Sequence, residues 1–419
     1  MSDMFRVAAL VLVSWCAPVL AGPADDETIP RVLLDSDLHA STVRLVSIGP
    51  DSVSVRDLNG KPRTYQRRQV AAILPVIEGS AWSFAEQAAR ADAGDGADRA
   101  DGDASDRAAA PAKRAAPLGR LELVTGEQLP GTISSQPAQG DKLAWESHVW
   151  GRVEVPLERA GFVLLQPESA YATRHPSASA DVAVLANGDT IEGFVSSLGP
   201  TLRIERDQQV TQLPLERVVG VAFANPPVKP QGAWVWLHDG SAASVAGLEL
   251  SSGGELKIAG LGAASLRAGE LRAIVFDASR LLPLCSVPLE LGPADPSRRW
   301  TRPPIVGDAR QAPAFAADIE LPGPMSVRFT LPKGATRVGG RAELPANCRV
   351  WGDCELLVGV LGSKPTRFRL NSETPEVDFS VDIAGAGGDT LEISIDPGPS
   401  GPVQDRVVLR RPVVRIGRQ

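Results

Sequence analysis

Two tryptophans in this chain have neighbours suited to ligand chemistry. Trp351 stands between Arg349 and Asp353 in the phrase RVWGD, and Trp300 follows Arg298 and Arg299. An indole offers a flat apolar face. Guanidinium and carboxylate groups beside it offer planar hydrogen-bonding edges. That set suits a molecule with an apolar face and a rim of hydroxyls, as a pyranose has. Trp351, Arg349, Asp353 and Trp300 are therefore the candidate carbohydrate-contacting residues. An indole can also plug a core, and for Trp300 that role is favoured.

Cys348 and Cys354 flank the same phrase. A tight hairpin there would let them form a disulfide, and two buried reduced thiols fit the spacing equally well. Cys285 has no evident partner and reads as a small apolar residue. Zinc needs a C-x-x-C pair or a nearby histidine, and neither is present. The four histidines, His39, His148, His175 and His238, fall in different parts of the chain. The aspartates from Asp92 to Asp106 lack the spacing and terminal Glu of a calcium loop. No phosphate-binding loop, H-E-x-x-H or G-x-S-x-G occurs. No cofactor and no metal are expected.

The elements that would carry these residues repeat. Residues 121–165 read LELVTGEQLPGTISS, LAWE and VPLERAGFVLL; residues 183–224 read AVLANGDTIEGFVSS, LRIE and LPLERVVGVAFA. Residues 234–277 and, more faintly, 32–76 follow the same script. Each copy runs an apolar strand into a turn, at Thr125-Gly126, Asn187-Gly188 or Asp239-Gly240. Such pairs accept the positive φ of a two-residue hairpin. A second glycine follows at Gly131 and Gly193, where a bulge or a close backbone approach is expected; copy four has Val245 there and copy one Ser41. Strict alternation then marks half-buried strands, as in Leu202-Arg203-Ile204-Glu205. Copies two and three share Pro-Leu-Glu-Arg at 156–159 and 214–217.

Four or five short strands in so few residues are similar to SH3-like and Sm-like small barrels. Units of this size are marginal alone, so neighbouring copies should pack or pair edge to edge. Trp234 and Trp236, two apart on a strand, share a face and read as repeat core or an inter-repeat seam; Trp145 and Trp150 read likewise.

The fold class expected is all-β: four barrel-like repeats at 30–77, 118–168, 181–225 and 232–278, then a jelly-roll β-sandwich over 281–419. Between the first two repeats, 85–117 is rich in Ala, Asp, Arg and Gly and buries too little to fold, so a disordered linker is expected.

Phrases in the last third resemble the NPCBM domain, a carbohydrate-binding module associated with glycoside hydrolase family 98. They are LLPLCSVPLELG…RRW (281–300), MSVRFTLPKGATRVGGRAEL (325–344), LLVGVLGSKPTRFRL (356–370) and 377–416. In the last, Asp382, Gly385, Ala386, Leu391, Ile393, Asp396, Gly398 and Asp405 match the family pattern. The family's His-bearing phrase appears only as AFAADIELPG (314–323), without His, and Val408 stands where the family has Trp. The resemblance implies a jelly-roll sandwich and sugar binding.

The start reads as a signal peptide over 1–21: Arg6, an apolar run from 7 to 17, and Val19-Leu20-Ala21 before the cleavage point. The run is shorter than the roughly 20 residues of a spanning helix. Trp15 before Cys16 argues against a lipid anchor. A periplasmic or secreted location follows. The net charge of −7 argues against nucleic acid as a partner. Repeats, linker and module leave no stretch for a catalytic barrel of ~250 residues. The expectation is an exported, non-enzymatic protein that contacts carbohydrate or a cell-surface polymer, with no membrane association after cleavage. Its rival is an assembly protein whose repeats hold a protein partner.

Overall fold

A computed structural model describes residues 29–76, 119–172, 179–293, 302–309, 312–384, 389–399 and 401–417. Residues 1–21, read above as a signal peptide, residues 85–117, read as a linker, and Trp300, Gly385 and Ala386 lie outside the described residues. Among those described there is no α-helix, so none long and apolar enough to cross a membrane.

Unit 1 contains β1 (Pro30–Asp35), β2 (Ala40–Ile48), β3 (Ser52–Asp57), β4 (Pro62–Gln66) and β5 (Val70–Pro75). Unit 2 contains β6 (Gly119–Leu123), β7 (Gln128–Ile133), β8 (Lys142–Ser147), β9 (Gly151–Pro156) and β10 (Ala160–Leu164). Unit 3 contains β11 (Asp181–Leu185), β12 (Thr190–Leu198), β13 (Thr201–Arg206), β14 (Gln209–Pro214) and β15 (Val218–Ala222). Unit 4 contains β16 (Ala233–Leu237), β17 (Ala242–Val245), β18 (Gly247–Leu250), β19 (Glu255–Ala259), β20 (Ala263–Arg267) and β21 (Leu271–Val275). In every unit the strands run as a meander and the last returns to pair with the first. A single 3-10 turn precedes the last strand, at Arg67–Gln69, Leu157–Arg159, Leu215–Arg217 and Ala268–Glu270. The repeated Pro-Leu-Glu-Arg phrase is this turn with the residue before it.

The alternation does what its period requires. Val53 and Val55, Leu202 and Ile204, and Leu256 and Ile258 all point into the core. The turns, however, hold three residues rather than two. The N–H of Leu185 donates to the carbonyl of Asp189, and that of Leu123 to Glu127. Gly126, Gly188 and Gly240 end their loops at φ 100°, 87° and 91°, the left-handed position of a three-residue hairpin. In unit 1 the same place belongs to Leu38, at φ 60°.

Register also moves one assignment. Gly119 faces Gly131, Asp181 faces Gly193 and Ala233 faces Val245. The unit 1 counterpart is Val43, opposite Arg31, and not Ser41. The glycines mark close approach: a Cβ at Gly131 would lie 2.1 Å from the Glu146 carbonyl oxygen, and one at Gly193 2.5 Å from that of Glu205. Unit 4, with Val245 at this place, has its second strand divided into β17 and β18, whereas β2 of unit 1 runs unbroken through Val43.

The units are not closed barrels. Among the described residues the fourth-position strands β4, β9, β14 and β20 pair with β3, β8, β13 and β19, and no register joins them to the last strand of their unit. The free edge of the last strand is instead taken by another unit. In β10 and β15, Phe162 faces Ala222 and Val163 faces Val221; in β5 and β21, Ile73 faces Ile274 and Ala72 faces Val275. Units 2 and 3 thus pair as neighbours, while unit 1 pairs with unit 4, the farthest along the chain. Short ladders from β17 to β7 and from β18 to β2 complete the set. Edge pairing removes unpaired N–H and C=O groups that water would otherwise have to satisfy. One apolar core runs through all four units, with Trp145 and Trp150 inside it.

The C-terminal part is a sandwich. One sheet holds β22 (Leu281–Pro283), β24 (Ile305–Val306), β25 (Ile319–Pro322), β27 (Ala335–Glu343), β30 (Glu376–Asp382) and β32 (Arg406–Ile416). The other holds β23 (Leu289–Leu291), β26 (Met325–Thr330), β28 (Cys354–Val360), β29 (Thr366–Leu370) and β31 (Thr390–Pro397). Most successive strands cross from one sheet to the other. Leu321, Phe329, Leu356, Phe379 and Ile393 fill the space between.

A third core joins sandwich to repeats. Leu38, Leu74, Trp234, Trp236 and Val413 meet there. Phe315 stands edge-on to both Trp234 and Trp236, at 4.9 and 5.1 Å between ring centres. Phe315 lies in AFAADIELPG, the segment that departs from the family phrase; here it is docking surface.

Candidate functional site

The loop between β27 and β28 carries three of the four candidate residues. Its 3-10 turn, Ala346–Cys348, is followed by a further turn over 349–351 and two irregular residues, and β27 and β28 belong to different sheets, so Trp351 is not on a hairpin. The turn forms because Pro345 sets an extended entry and the Cys348 N–H closes back on the Pro345 carbonyl at 2.7 Å. Gly352 then donates its N–H to the Cys348 carbonyl at 2.8 Å. Only glycine fits: a Cβ there would stand 2.7 Å from that same oxygen.

The effect is to push Trp351 outward. It is 66% exposed, and its neighbour Val350 is 71% exposed. Burying an indole is worth several kcal/mol, so an exposed one on a tightly held loop is not serving the core. Val403, also exposed, lies on the loop that approaches this one: a Cβ at Gly352 would stand 3.1 Å from the Gln404 carbonyl.

The polar residues beside Trp351 are fixed. Asp353 accepts two hydrogen bonds from Arg369, from Nε at 3.1 Å and from Nη2 at 3.0 Å. This is a planar fork on a carboxylate. The Asp353 carbonyl accepts from Gly398 N–H at 2.7 Å. Arg349 is half-buried, its Nε donating to the Leu344 carbonyl at 3.0 Å. Asn347 Oδ1 accepts from Arg406 Nη2 at 2.8 Å, and Arg406 Nε lies 3.4 Å from the buried Glu320 carboxylate. Arg369, Asn347 and Arg406 were not among the sequence candidates. The alternation of Arg367 and Arg369 along β29 was the one signal that could have found Arg369; nothing local points to Asn347 or Arg406.

Cys348 and Cys354 are both buried as thiols and are not joined, so the disulfide open to their spacing is not made. Cys348 ends the 3-10 turn and Cys354 opens β28, in place of the facing hairpin arms a bridge requires. Burial pushes the Cys354 thiol up to about 12, and the charges of Asp405 and Asp353 act the same way. A thiol held protonated is no nucleophile. Burial likewise raises Cys285, which accepts a hydrogen bond from the Ala317 N–H at 3.2 Å. Among the described residues, no group of three His, Cys, Asp or Glu side chains is placed to hold a metal ion. The arrangement offers an open apolar plane with pinned hydrogen-bonding groups beside it, a surface for binding.

No family model matches the chain, and no curated protein matches it. Among solved structures it is similar to a CBM51 domain from Clostridium perfringens GH95 in complex with methyl-galactose, with TM-score 0.21 and 14% identity over 23% of this chain and 69% of that one. It is also similar to the CBM51-2 and INT domains of Clostridium perfringens ZmpB in complex with GlcNAc, with TM-score 0.26 and 9% identity over 41% of this chain and 38% of that one. A longer ZmpB structure, its M60 catalytic domain with both CBM51 domains, gives TM-score 0.25 and 10% identity over 92% of this chain and 51% of that one. Likenesses at this level carry no argument about what this chain binds.

Proposed function

We propose that this chain is an exported, non-catalytic binding protein whose C-terminal sandwich contacts carbohydrate or a cell-surface polymer through Trp351. The observation that carries this is a large aromatic ring held 66% exposed by a loop whose Asn347, Arg349 and Asp353 side chains are tied down. Such a platform costs little entropy on binding, because its rim is already ordered. A sugar would lay its CH face on the indole and meet the Arg369–Asp353 pair and Arg349 at its hydroxyls. The sequence resemblance to NPCBM points the same way, and the residues of 1–21 support export to the periplasm or beyond.

A second reading has its own observation. On unit 3, Phe194, Glu205 and Val210 form one cross-strand row, and Phe194 and Val210 are 66% and 47% exposed. An exposed apolar pair on an outer sheet suits a protein partner.

A glycan array with the full chain tests the first reading. Trp351→Ala should abolish binding of the best glycan with Tm unchanged within about 2 °C, since the residue adds little to the core. Wild-type affinity in that variant, or no glycan bound by the parent, would refute it. In the latter case a partner captured by the wild type and lost in Phe194→Ser would establish the second.

A further inference from the structure

The units of this chain are joined by antiparallel pairing of strand edges, β10 with β15 and β5 with β21. The same device stands open on unit 3. Strand β14 pairs with β13 on one side, and among the described residues no register joins a strand to its other side. The corresponding strands of the other units blunt that edge. β4 opens on Pro62, and the N–H of its last residue, Gln66, donates to the Gln69 side chain at 3.0 Å. β9 carries Arg152 and Glu154. β20 ends on Arg267, whose N–H donates to the Glu270 carboxylate at 2.8 Å. Charge and proline of this kind keep edges from meeting. β14 reads QVTQLP and has no charged residue. It is also the one of the four that exposes a large apolar side chain, Val210 at 47%.

The hairpin before β14 fixes which of its backbone groups face outward. Asp207 and Gln208 turn at φ 51° and 65°, the type I′ pair. Arg206 therefore exchanges hydrogen bonds with Gln209, and bonded pairs alternate with open ones along the ladder. The Leu215 N–H donates to the Pro200 carbonyl at 3.3 Å, which keeps the same alternation. Val210 and Gln212 consequently turn their N–H and C=O groups away from β13, toward the open edge. Pro214 has no N–H and ends it.

An identical edge answers this one. In antiparallel pairing about Thr211, Val210 faces Gln212 of a second copy, and Gln212 faces the second copy's Val210. Every outward N–H then meets an outward C=O. An axis at Val210 would leave Gln212 opposite the turn, and an axis at Gln212 would set Val210 against Pro214. Charge selects the same register. Glu205 lies beside Val210 on β13, and Arg203 beside Gln212. Each joined row therefore carries a carboxylate from one copy and a guanidinium from the other, whereas an axis at Val210 would align Glu205 with its own copy.

We propose that β14 pairs with β14 of a second copy of this chain about a two-fold axis through Thr211, so that the outer sheets of two unit 3 domains run on as one. The contact is short and belongs to the weak, transient class. It goes beyond the protein-partner reading of Phe194, because Phe194 lies two strands from the edge. The pairing does not depend on Trp351. Its consequence for binding does rest on that reading: a dimer carries the Trp351 surface twice, and a repeating polymer is then held more tightly than either surface alone holds it.

Sedimentation velocity of the full chain tests the proposal. The wild type should pass from monomer toward dimer as its concentration rises over about 10 µM to 1 mM. Val210→Lys combined with Gln212→Lys sets ammonium groups opposite one another in both pairs and should weaken the dimer tenfold or more. Val210→Glu combined with Gln212→Glu should do the same. Both positions are exposed, so both double variants should stay folded, with Tm within about 4 °C of wild type. An equimolar mixture of the two should restore the dimer, because each Lys then faces a Glu. Trp351→Ala and Phe194→Ser should each leave the dissociation constant within twofold. A wild type that stays monomeric throughout the range, a dimer that survives the Lys pair, or a mixture that remains monomeric overturns it.

Discussion

Leu38 packs directly on the backbone of Gly339: a Cβ built on that glycine would stand 2.8 Å from the Leu38 Cβ. Leu38 occupies the loop position that is glycine in the other three units, and it holds φ 60° with only 2% of its surface exposed. A left-handed leucine costs roughly 1–2 kcal/mol. Burial against the sandwich more than offsets that cost. Leu38→Gly should therefore destabilise the chain by about 1–3 kcal/mol despite relieving the backbone, as read from urea unfolding. A gain in stability would show that the contact contributes nothing.

The close strand approach at Gly131 gives a sharper case. A methyl group there meets the Glu146 carbonyl at 2.1 Å, and backbone cannot step aside cheaply. Gly131→Ala should cost more than about 3 kcal/mol. Gly199→Ala, where nothing lies within 4 Å, should stay within about 0.5 kcal/mol. Thermal melts of the two variants make the comparison.

Arg411 clasps the repeats from the sandwich side. Its Nη2 donates to the Pro75 carbonyl at 2.8 Å, and its N–H donates to Asp318 Oδ1 at 3.0 Å. Burial lowers its guanidinium to about 10, yet it stays charged at neutral pH. Arg411→Met keeps the stem and drops the clasp. The loss should be about 1.5–3 kcal/mol, and denaturation followed by Trp fluorescence should separate into two transitions.

Cys354 predicts a pH dependence. Its folded-state thiol is raised to about 12 from a usual 9. The unfolded chain therefore releases this proton first as pH rises. The stability it contributes is whole below pH 9 and drains away between 9 and about 12, at roughly 1.4 kcal/mol per pH unit. Cys354→Ala should show a flatter slope of stability against pH from 9 upward. Equal slopes in both proteins would contradict the assignment.

Much of this molecule is legible one segment at a time. Val53, Leu202 and Ile258 announce buried strand faces by their spacing, and Gly126, Gly188 and Gly240 announce turns, because a residue's own φ and its side-chain alternation are local properties. The loop length was misjudged, since a Gly pair looks alike in two- and three-residue hairpins until the ladder register is known. Trp351 stands out in RVWGD, but whether it lay in the core or in solvent was open until the pinning of its loop by Arg369 and Arg406, from distant strands, was visible.

What folding alone decided is which edges and faces meet. No local pattern says that β5 pairs with β21 rather than with the unit next in sequence, since every last strand offers the same row of N–H and C=O groups. Nor does it say that Leu38 enters the sandwich, or that Arg411 reaches the Pro75 carbonyl. Those outcomes follow from fitting surfaces hundreds of residues apart. Complementarity of that kind belongs to pairs of faces in space and is written in neither segment alone.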